Sequence, residues 1–251
     1  MHLAAYRALG LTEWTYERIE CTGEQLPGLV SSLGEEWVGL SVTMPGKFAA
    51  LEFATERTER AVRIGSANTL VRIESGWRAD CTDVDGVSGA LRSVGVGDLS
   101  GASAVVVGSG GTARPALVGL TDLGVRSVTV VARSEEKARA TFDCLDDDIE
   151  ARWLSFDAPE LGRVCAEAGA LVSTVPAPAA APYAEALAQA PRILDAIYDP
   201  GPRRWRQRPR YAASASSAVC TCCSTRPSGR SSSSRVCPPR ARRWRVPSGS
   251  T

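Results

Sequence analysis

Lysine is nearly absent from this chain of 251 residues: of its 29 basic residues, only Lys47 and Lys137 are lysines. Histidine occurs once, and aromatic residues make up 6% of the sequence. No run of about 18 or more uncharged apolar residues occurs, which excludes a transmembrane helix of ordinary length. Residues 1–10 also lack the pattern of a secretory signal, so we expect a cytoplasmic location.

Acidic residues are missing from the last part of the chain. Residues 1–200 carry 17 basic and all 28 acidic residues, whereas residues 201–251 carry 12 arginines and no acid. This tail shows neither helical nor strand periodicity, so we expect it to be irregular and disordered. An arm that binds nucleic acid or a membrane surface is the alternative for so basic a segment.

The eight cysteines divide in the same way. Four are scattered through residues 1–200, where we expect buried, reduced side chains of a cytosolic protein. The other four crowd the tail as Cys220, Cys222, Cys223 and Cys237. Their spacing matches no ordinary zinc site and no histidine is near, so we predict no metal.

Strands and short-looped helices alternate from residue 102 onwards, which predicts an α/β fold with a doubly wound parallel sheet. The strands are expected at Ala102–Val107, Ser127–Val131, Ala151–Ser155, Ala170–Ser173 and Ile193–Tyr198. Before them we expect helices at residues 2–10, 47–61 and 83–94, strands at Thr15–Cys21 and Val38–Thr43, and a hairpin of Asn68–Ile73 with Gly76–Asp80. We therefore divide the chain into residues 1–94, 95–200 and an irregular tail, 201–251.

A glycine-rich loop connects the strand at 102–107 to the next helix. In the G-x-G-x-x-A pattern of dinucleotide-binding proteins, the first glycine allows a tight turn and the second lets the backbone approach the pyrophosphate. The helix N-terminus supplies free N–H groups for phosphate. The sequence therefore predicts a dinucleotide site, with a purely structural turn as the alternative, at Gly108, Ser109, Gly110, Gly111, Thr112 and Ala113.

Positive side chains follow the second strand of this unit. An NAD-binding protein tends to place Asp or Glu there, to hold the ribose 2′-hydroxyl. This chain has Arg133 at that place and Lys137 one helical turn later. Because cations favour a 2′-phosphate, the pair predicts NADP as the cofactor, with two solvated helix-start residues as the alternative.

Lys47 follows a short strand and turn. In a chain so rich in arginine, a lysine indicates a use for its titratable amine, since arginine is not usefully deprotonated. A solvated lysine at the start of a helix is the alternative.

Several short motifs follow one another in a distinctive order. Gly39–Lys47 reads Gly-Leu-Ser-Val-Thr-Met-Pro-Gly-Lys, Ile64–Thr69 reads Ile-Gly-Ser-Ala-Asn-Thr, and Thr82–Gly86 reads Thr-Asp-Val-Asp-Gly. Beyond the glycine-rich loop, Val172–Pro176 reads Val-Ser-Thr-Val-Pro and Asp195–Pro200 reads Asp-Ala-Ile-Tyr-Asp-Pro. Together they resemble the motifs of the shikimate dehydrogenase family over residues 1 to about 200.

The resemblance implies an N-terminal substrate-binding α/β domain, a C-terminal Rossmann-type NADP domain, and NADPH-dependent reduction of 3-dehydroshikimate to shikimate on the way to chorismate and the aromatic amino acids. It gives Lys47 the acid/base role and makes Asp83 its orienting partner. An ammonium beside a ketone can stabilise and then protonate the oxygen that gains charge. The resemblance also implies substrate-binding roles for Thr43, Asn68 and Tyr198, and a cofactor-binding role for Thr174.

The expected partner is a small-molecule substrate, without nucleic acid or membrane, and a homodimer is left open. Within the same chemistry, a quinate/shikimate-type dehydrogenase that uses NAD is one alternative. A catalytically impaired NADP-binding remnant is another. Comparing turnover with NADP and with NAD distinguishes the quinate/shikimate-type enzyme. NADPH binding without turnover identifies the impaired remnant.

The chain departs from the family pattern in three places. The Ser-x-Ser loop that grips the substrate carboxylate and the first strand of the substrate domain are missing, so we expect an N-terminal truncation. Cys81 stands where the family has Asn, and a thiol cannot supply the paired donor and acceptor of an amide. The closing Gly-Leu-x-Met-Leu-x-x-Gln segment is also missing.

A shifted reading frame after about Pro200 is our hypothesis for the third departure. Residues 219–228 can be encoded by GTC TGT ACA TGC TGC TCC ACC AGG CCG TCN. Read from a G one base earlier, that DNA gives Gly-Leu-Tyr-Met-Leu-Leu-His-Gln-Ala-Val, which is the missing motif. Resequencing the gene decides the matter.

Overall fold

Two six-stranded sheets form the framework of the protein. The computed structural model describes residues 2–93 and 95–197, together with the backbone of two strands in the tail. The strands are β1 (Thr15–Glu17), β2 (Trp37–Ser41), β3 (Glu56–Arg57), β4 (Thr69–Ile73), β5 (Gly76–Asp80), β6 (Ser103–Val107), β7 (Ser127–Val131), β8 (Glu150–Leu154), β9 (Ala170–Ser173), β10 (Ile193–Asp195), β11 (Tyr211–Ala213) and β12 (Thr221–Ser224).

The helices lie between these strands. They are α1 (His2–Ala8), α2 (Leu26–Ser32), α3 (Lys47–Phe53), α4 (Glu59–Ile64), α5 (Asp83–Ser93), α6 (Ala113–Thr121), α7 (Glu135–Arg139), α8 (Leu161–Glu167), α9 (Ala177–Ala180) and α10 (Ala184–Leu187), with 3-10 turns at Phe142–Cys144 and Ala181–Tyr183. Throughout the described ranges, none of these helices has the length and apolar character needed to cross a membrane.

The first sheet is mixed, with the order β1-β12-β2-β4-β5-β3. The predicted hairpin is confirmed, because β4 and β5 pair antiparallel through a turn that ends at Gly76. Trp77 and Ala79 alternate into the core on β5 while Arg78 faces outward, which is the period of two expected of a half-buried strand. Leu26 and Val30 of α2 and Leu40 of β2 cover the same core.

The second sheet has the order β11-β10-β9-β6-β7-β8, and its pairings are parallel. Alternate residues of β6 enter two different cores: Ala104 and Val106 lie in one, Val105 and Val107 in the other. A strand buried on both faces needs helices on both sides of the sheet. The predicted doubly wound parallel sheet is therefore confirmed.

Helix α5 links the two sheets. Its residues Val84, Val87 and Leu91 share one buried cluster with Leu117 and Leu120 of α6, which belongs to the second sheet. Core packing therefore crosses the expected domain boundary between residues 94 and 95, and α5 is held against the helix that follows the glycine-rich loop.

The single helix predicted over residues 47–61 is wrong, because the chain turns twice within it. Ala54 is extended and ends α3, and β3 then pairs with the edge of β5. The Thr58 hydroxyl accepts a hydrogen bond from the Ala61 N–H and starts α4. Such a cap pairs an N–H group that has no partner at the start of a new helix. The spacing of apolar residues alone does not reveal that a new helix starts here.

Helix α2 was not predicted, although its sequence carries a start signal. The Gln25 side chain accepts a hydrogen bond from the Thr22 N–H at 2.9 Å, and the Thr22 hydroxyl accepts one from the Gln25 N–H at 3.3 Å. This reciprocal pair is a capping box, and Leu26 and Val30 follow it one turn apart.

The tail differs from its predicted irregularity at β11 and β12. β11 pairs parallel with β10, and β12 lies antiparallel between β1 and β2. Unpaired N–H and C=O groups along a strand edge accept any extended segment, whatever the periodicity of its side chains. Two short strands therefore form where the sequence shows no strand pattern.

Candidate active site

A largely buried ion pair joins the first residues of two helices. Lys47 begins α3 and is 5% exposed, and its Nζ lies 2.6 Å from Oδ2 of Asp83, which begins α5. A buried ammonium is strongly unfavourable without a paired charge, and Asp83 supplies it. The two residues that the sequence singled out for acid/base chemistry are therefore brought together.

Asn68 holds the other oxygen of that carboxylate. Its Nδ2 donates to Oδ1 of Asp83 at 2.7 Å and to the Thr82 hydroxyl at 3.1 Å, and its Oδ1 accepts the Thr82 N–H at 2.9 Å. Both oxygens of Asp83 are thus engaged, one by Lys47 and one by Asn68. The amide fixes the direction in which the carboxylate faces.

Of the other two predicted substrate-binding residues, Thr43 and Tyr198, the structure describes only Thr43. Thr43 is half-buried between β2 and Lys47, and its carbonyl accepts the Gly46 N–H at 2.9 Å in the turn that leads into α3. This places Thr43 on the same connection as Lys47. Tyr198 lies outside the described residues.

Cys81 lies in the apolar core and not in the polar cluster. Its side chain is fully buried among apolar residues that include Ala61, Ile64 and Val84. Burial, reinforced by the charge of Asp83, raises the pKa of the Cys81 thiol to about 12. The side chain therefore stays a neutral thiol at ordinary pH, beside the ion pair but without a charge of its own.

The first glycine of the loop is fixed by a close approach. Gly108 has φ of 110°, and a Cβ built on it would lie 2.5 Å from Oγ1 of Thr174 and 2.7 Å from Cγ1 of Val175. The Thr174 hydroxyl donates to the Val107 carbonyl at 2.8 Å, so it is held in that place. No other residue type fits this turn without a shift of the neighbouring strand end.

The backbone at Gly110, the second glycine of the loop, faces open space, and the helix that follows starts without a side-chain cap. In the described part of the chain, nothing lies within 4 Å of a Cβ built on Gly110. Helix α6 begins after Thr112, whose side chain makes no capping hydrogen bond. Pro115 in the first turn has no N–H to leave unpaired. In the described structure the N–H groups of residues 109–112 make no backbone hydrogen bond, whereas the Ala113 N–H is bonded to the Gly110 carbonyl. Such a cradle, with loop N–H groups and space above the backbone, fits a pyrophosphate.

Two cations flank the start of α7. Arg133 and Lys137 are exposed, and within the described residues neither forms an ion pair. Ser134 lies between them and caps α7 by accepting the Lys137 N–H. Arg139, by contrast, is paired with Glu135 at 2.7 Å. The pair at 133 and 137 is thus available to a phosphate group.

The glycine-rich loop abuts the segment that carries Lys47. A Cβ built on Gly111 would lie 3.2 Å from Sδ of Met44, three residues before Lys47. Arg114, directly after the loop, donates to the Ile64 carbonyl at 3.1 Å. Sequence reasoning gave no role to Met44, which lies inside the Gly39–Lys47 motif, or to Arg114, which directly follows the glycine-rich loop.

The chain is similar to known proteins along most of its length. Residues 1–70 match the family described as "Shikimate dehydrogenase substrate binding domain". The chain is 34% identical over 218 residues to a shikimate dehydrogenase (NADP(+)) of Synechocystis sp., and the match covers 82% of this chain and 74% of that protein.

Two solved structures are similar to the chain in both sequence and fold. The shikimate dehydrogenase of Mycobacterium tuberculosis is 53% identical, with a TM-score of 0.78, and the match covers 85% of this chain and 81% of that one. The shikimate 5-dehydrogenase of Mycobacterium fortuitum is 62% identical, with a TM-score of 0.72, over 80% of this chain and 74% of that one.

Proposed function

Because the chain belongs to the shikimate dehydrogenase family, we propose that it catalyses the NADPH-dependent reduction of 3-dehydroshikimate to shikimate. This makes it an NADP-dependent oxidoreductase of the pathway that leads to chorismate and the aromatic amino acids. The observation that carries the proposal is the buried Lys47–Asp83 pair, which lies on the connections next to the glycine-rich loop.

The cofactor site fits NADP in two independent respects. The loop leaves open space at Gly110, and the N–H groups of residues 109–112, which make no backbone hydrogen bond in the described structure, would serve the pyrophosphate. Thr174 packs against the first glycine of the loop. Arg133 and Lys137 offer unpaired positive charge for a 2′-phosphate. NADPH bound there would supply the hydride for the ketone of the substrate.

The chain's own groups supply the proton and the orientation. As the ketone accepts a hydride, negative charge builds on its oxygen, and the Lys47 ammonium stabilises that charge and then donates a proton. Asp83 holds the ammonium in place, and Asn68 holds Asp83. Following the family pattern, Thr43 and Asn68 would bind ring hydroxyls of the substrate, and Tyr198 would help to close the site.

The test is a turnover assay with the full chain. NADPH oxidation is followed with 3-dehydroshikimate, and NADP reduction with shikimate, each beside a parallel assay with NADH or NAD. We expect turnover with a clear preference for the phosphorylated cofactor. An equal or better rate with NAD on quinate would favour the quinate/shikimate alternative. NADPH binding without turnover would contradict the proposal and identify a cofactor-binding remnant.

A cytoplasmic location and a homodimeric assembly are further parts of this proposal. Four cysteines of the described ranges form no disulfide, as is usual in a reducing compartment: Cys21, Cys81, Cys144 and Cys165. Cell fractionation tests the location, and light scattering coupled to gel filtration tests the assembly. A monomer at working concentration, or a secreted protein, would contradict the respective part.

A further inference from the structure

Arg60 contacts both flanks of the turn that carries Asp83. It lies in the first turn of α4. Its Nε lies 2.6 Å from Oδ1 of Asp80, at the end of β5, and its Nη2 lies 2.6 Å from Oδ2 of the same carboxylate. Its Nη1 lies 2.7 Å from Oδ2 of Asp85, in the first turn of α5. One guanidinium thus holds the residues on either side of positions 81–84.

Asp80 passes this restraint to the rest of the site. Its Oδ1 accepts the Cys81 N–H and the Thr58 hydroxyl, each at 2.8 Å, and its carbonyl accepts the Asn68 N–H at 3.1 Å. Burial works against its charge, but the hydrogen bonds from Arg60 and Thr58 hold the pKa of Asp80 below its ordinary value. Asp80 therefore remains an ionised anchor for the turn.

Arg60 itself makes no hydrogen bond or ion pair with Lys47 or Asp83 in the described part of the chain. Any effect on them passes through the backbone between Asp80 and Asp85, or through Asn68, which bonds both the Asp80 carbonyl and the Asp83 carboxylate. Two parallel N–H···O bonds to one carboxylate and a third bond to another require the planar fork of arginine, which a lysine ammonium cannot reproduce.

We propose that Arg60 is a positioning residue for the reaction: by clamping Asp80 and Asp85 it fixes the turn that presents the Asp83 carboxylate to Lys47. This inference rests on the proposed function for its kinetic test. A second test measures Lys47 directly and requires no turnover.

The kinetic test compares Arg60→Gln and Arg60→Lys with Arg57→Gln. Arg57 is the matched control, since within the described residues its side chain makes one hydrogen bond, to the Glu52 carbonyl. Because small displacements of catalytic groups are costly, we expect kcat to fall about 10- to 100-fold in Arg60→Gln, with KM for NADPH unchanged. Arg60→Lys restores little, because the bidentate contact is lost, and Arg57→Gln keeps the native kcat.

Asp85→Asn provides a variant that folds if Arg60→Gln does not. The Asp85 side chain is 67% exposed, so Asp85→Asn removes the ionic part of one contact of the clamp at small cost to folding. We expect a kcat about 2- to 5-fold below native, and no further loss when Asp85→Asn is added to Arg60→Gln, because the contact is then already gone. Additive losses would indicate general destabilisation and overturn the proposal.

The second test uses the two lysines of the chain. Trace acetylation of the full-length protein, read by mass spectrometry, gives the ratio of the rates at Lys47 and Lys137. Native Lys47 reacts slowly, since it is buried and paired with Asp83. Freeing the turn in Arg60→Gln should raise the ratio several-fold, whereas Arg57→Gln should not.

The two tests separate the two ideas. Absence of turnover in the native chain contradicts the proposed function, and the lysine ratio still tests the clamp. Native values of both kcat and the lysine ratio in Arg60→Gln overturn the role of Arg60 and leave the proposed function intact.

Discussion

The ammonium of Lys47 lies 2.6 Å from the carboxylate of Asp83, although the two residues are 36 positions apart in the chain. Lys47 follows the end of β2, and Asp83 follows the end of β5. Only β4 lies between those two strands in the sheet, so sheet order brings the connections together. The sheet topology therefore creates the pair, and the local sequence around either residue does not predict its partner.

Replacing Lys47 by methionine tests the acid/base role. Methionine keeps an unbranched chain but removes the ammonium, so the substrate oxygen loses its proton donor. We expect kcat to fall about 100- to 10,000-fold, the usual contribution of general acid–base catalysis. NADPH binding, followed by fluorescence titration, should stay native, because Lys47 makes no part of the glycine-rich loop. A variant with native kcat would remove Lys47 from the mechanism.

Replacing Arg133 and Lys137 by alanine tests cofactor choice. Both are exposed and unpaired in the described structure, so their loss should affect little besides a bound 2′-phosphate. Hydrogen bonds to charged groups contribute about 1.5–3 kcal/mol each, so the loss of two of them is expected to raise KM for NADPH about 100-fold or more. KM for NADH should change little.

Arg139→Ala is the matched control for that experiment. Arg139 lies on the same helix, but its guanidinium is paired with Glu135. We expect native KM values for both cofactors. If the double variant keeps its preference for NADPH, the 2′-phosphate is held elsewhere and this assignment is wrong.

The sequence predicted the second sheet well because its signals are local. Four of its strands were placed within about one residue of their observed bounds, since a strand buried on both faces reads as an apolar run, as Val105–Val107 does. The site motifs were also found, and the pairing of Lys47 with Asp83 followed from the family resemblance. The shifted reading frame of the tail stays a hypothesis.

The sequence could not predict the contacts that cross between elements. The clamp of Arg60 on Asp80 and Asp85 joins α4, β5 and α5, and no periodicity marks it. The break between α3 and α4 depends on pairing of β3 with β5, which is a tertiary interaction. Local propensity is a weak guide wherever such pairing decides the backbone.

Gly108 and Gly110 are expected to fail in different ways when each is replaced by alanine. At Gly108 a Cβ would meet Thr174 and Val175, and φ is 110°, so strain should reduce stability by about 1–3 kcal/mol. At Gly110 the described structure offers open space, so stability should stay near native while KM for NADPH rises. Thermal unfolding and steady-state kinetics check the two. Equal stability losses at both sites would contradict a cradle kept open for phosphate.

Cys81→Asn, which restores the residue usual in the family, is expected to damage this chain. Cys81 is fully buried with apolar neighbours, and the amide contacts to Thr82 and Asp83 are already made by Asn68. The Asp83 backbone offers one hydrogen bond to the side chain at position 81, whereas an amide has further groups to pair. Buried polar groups left unpaired cost about 1–3 kcal/mol, so Cys81→Asn should lower the melting temperature.

The matched control at this position is Cys81→Ala. Alanine removes the thiol and adds no polar group, so only packing is lost, at a cost of about 1 kcal/mol. Because the Cys81 thiol is neutral at ordinary pH, its pKa being about 12, kcat should stay within about threefold of native. A rise in kcat in Cys81→Asn without loss of stability would show that the site has room for the amide and that Asn68 does not replace it.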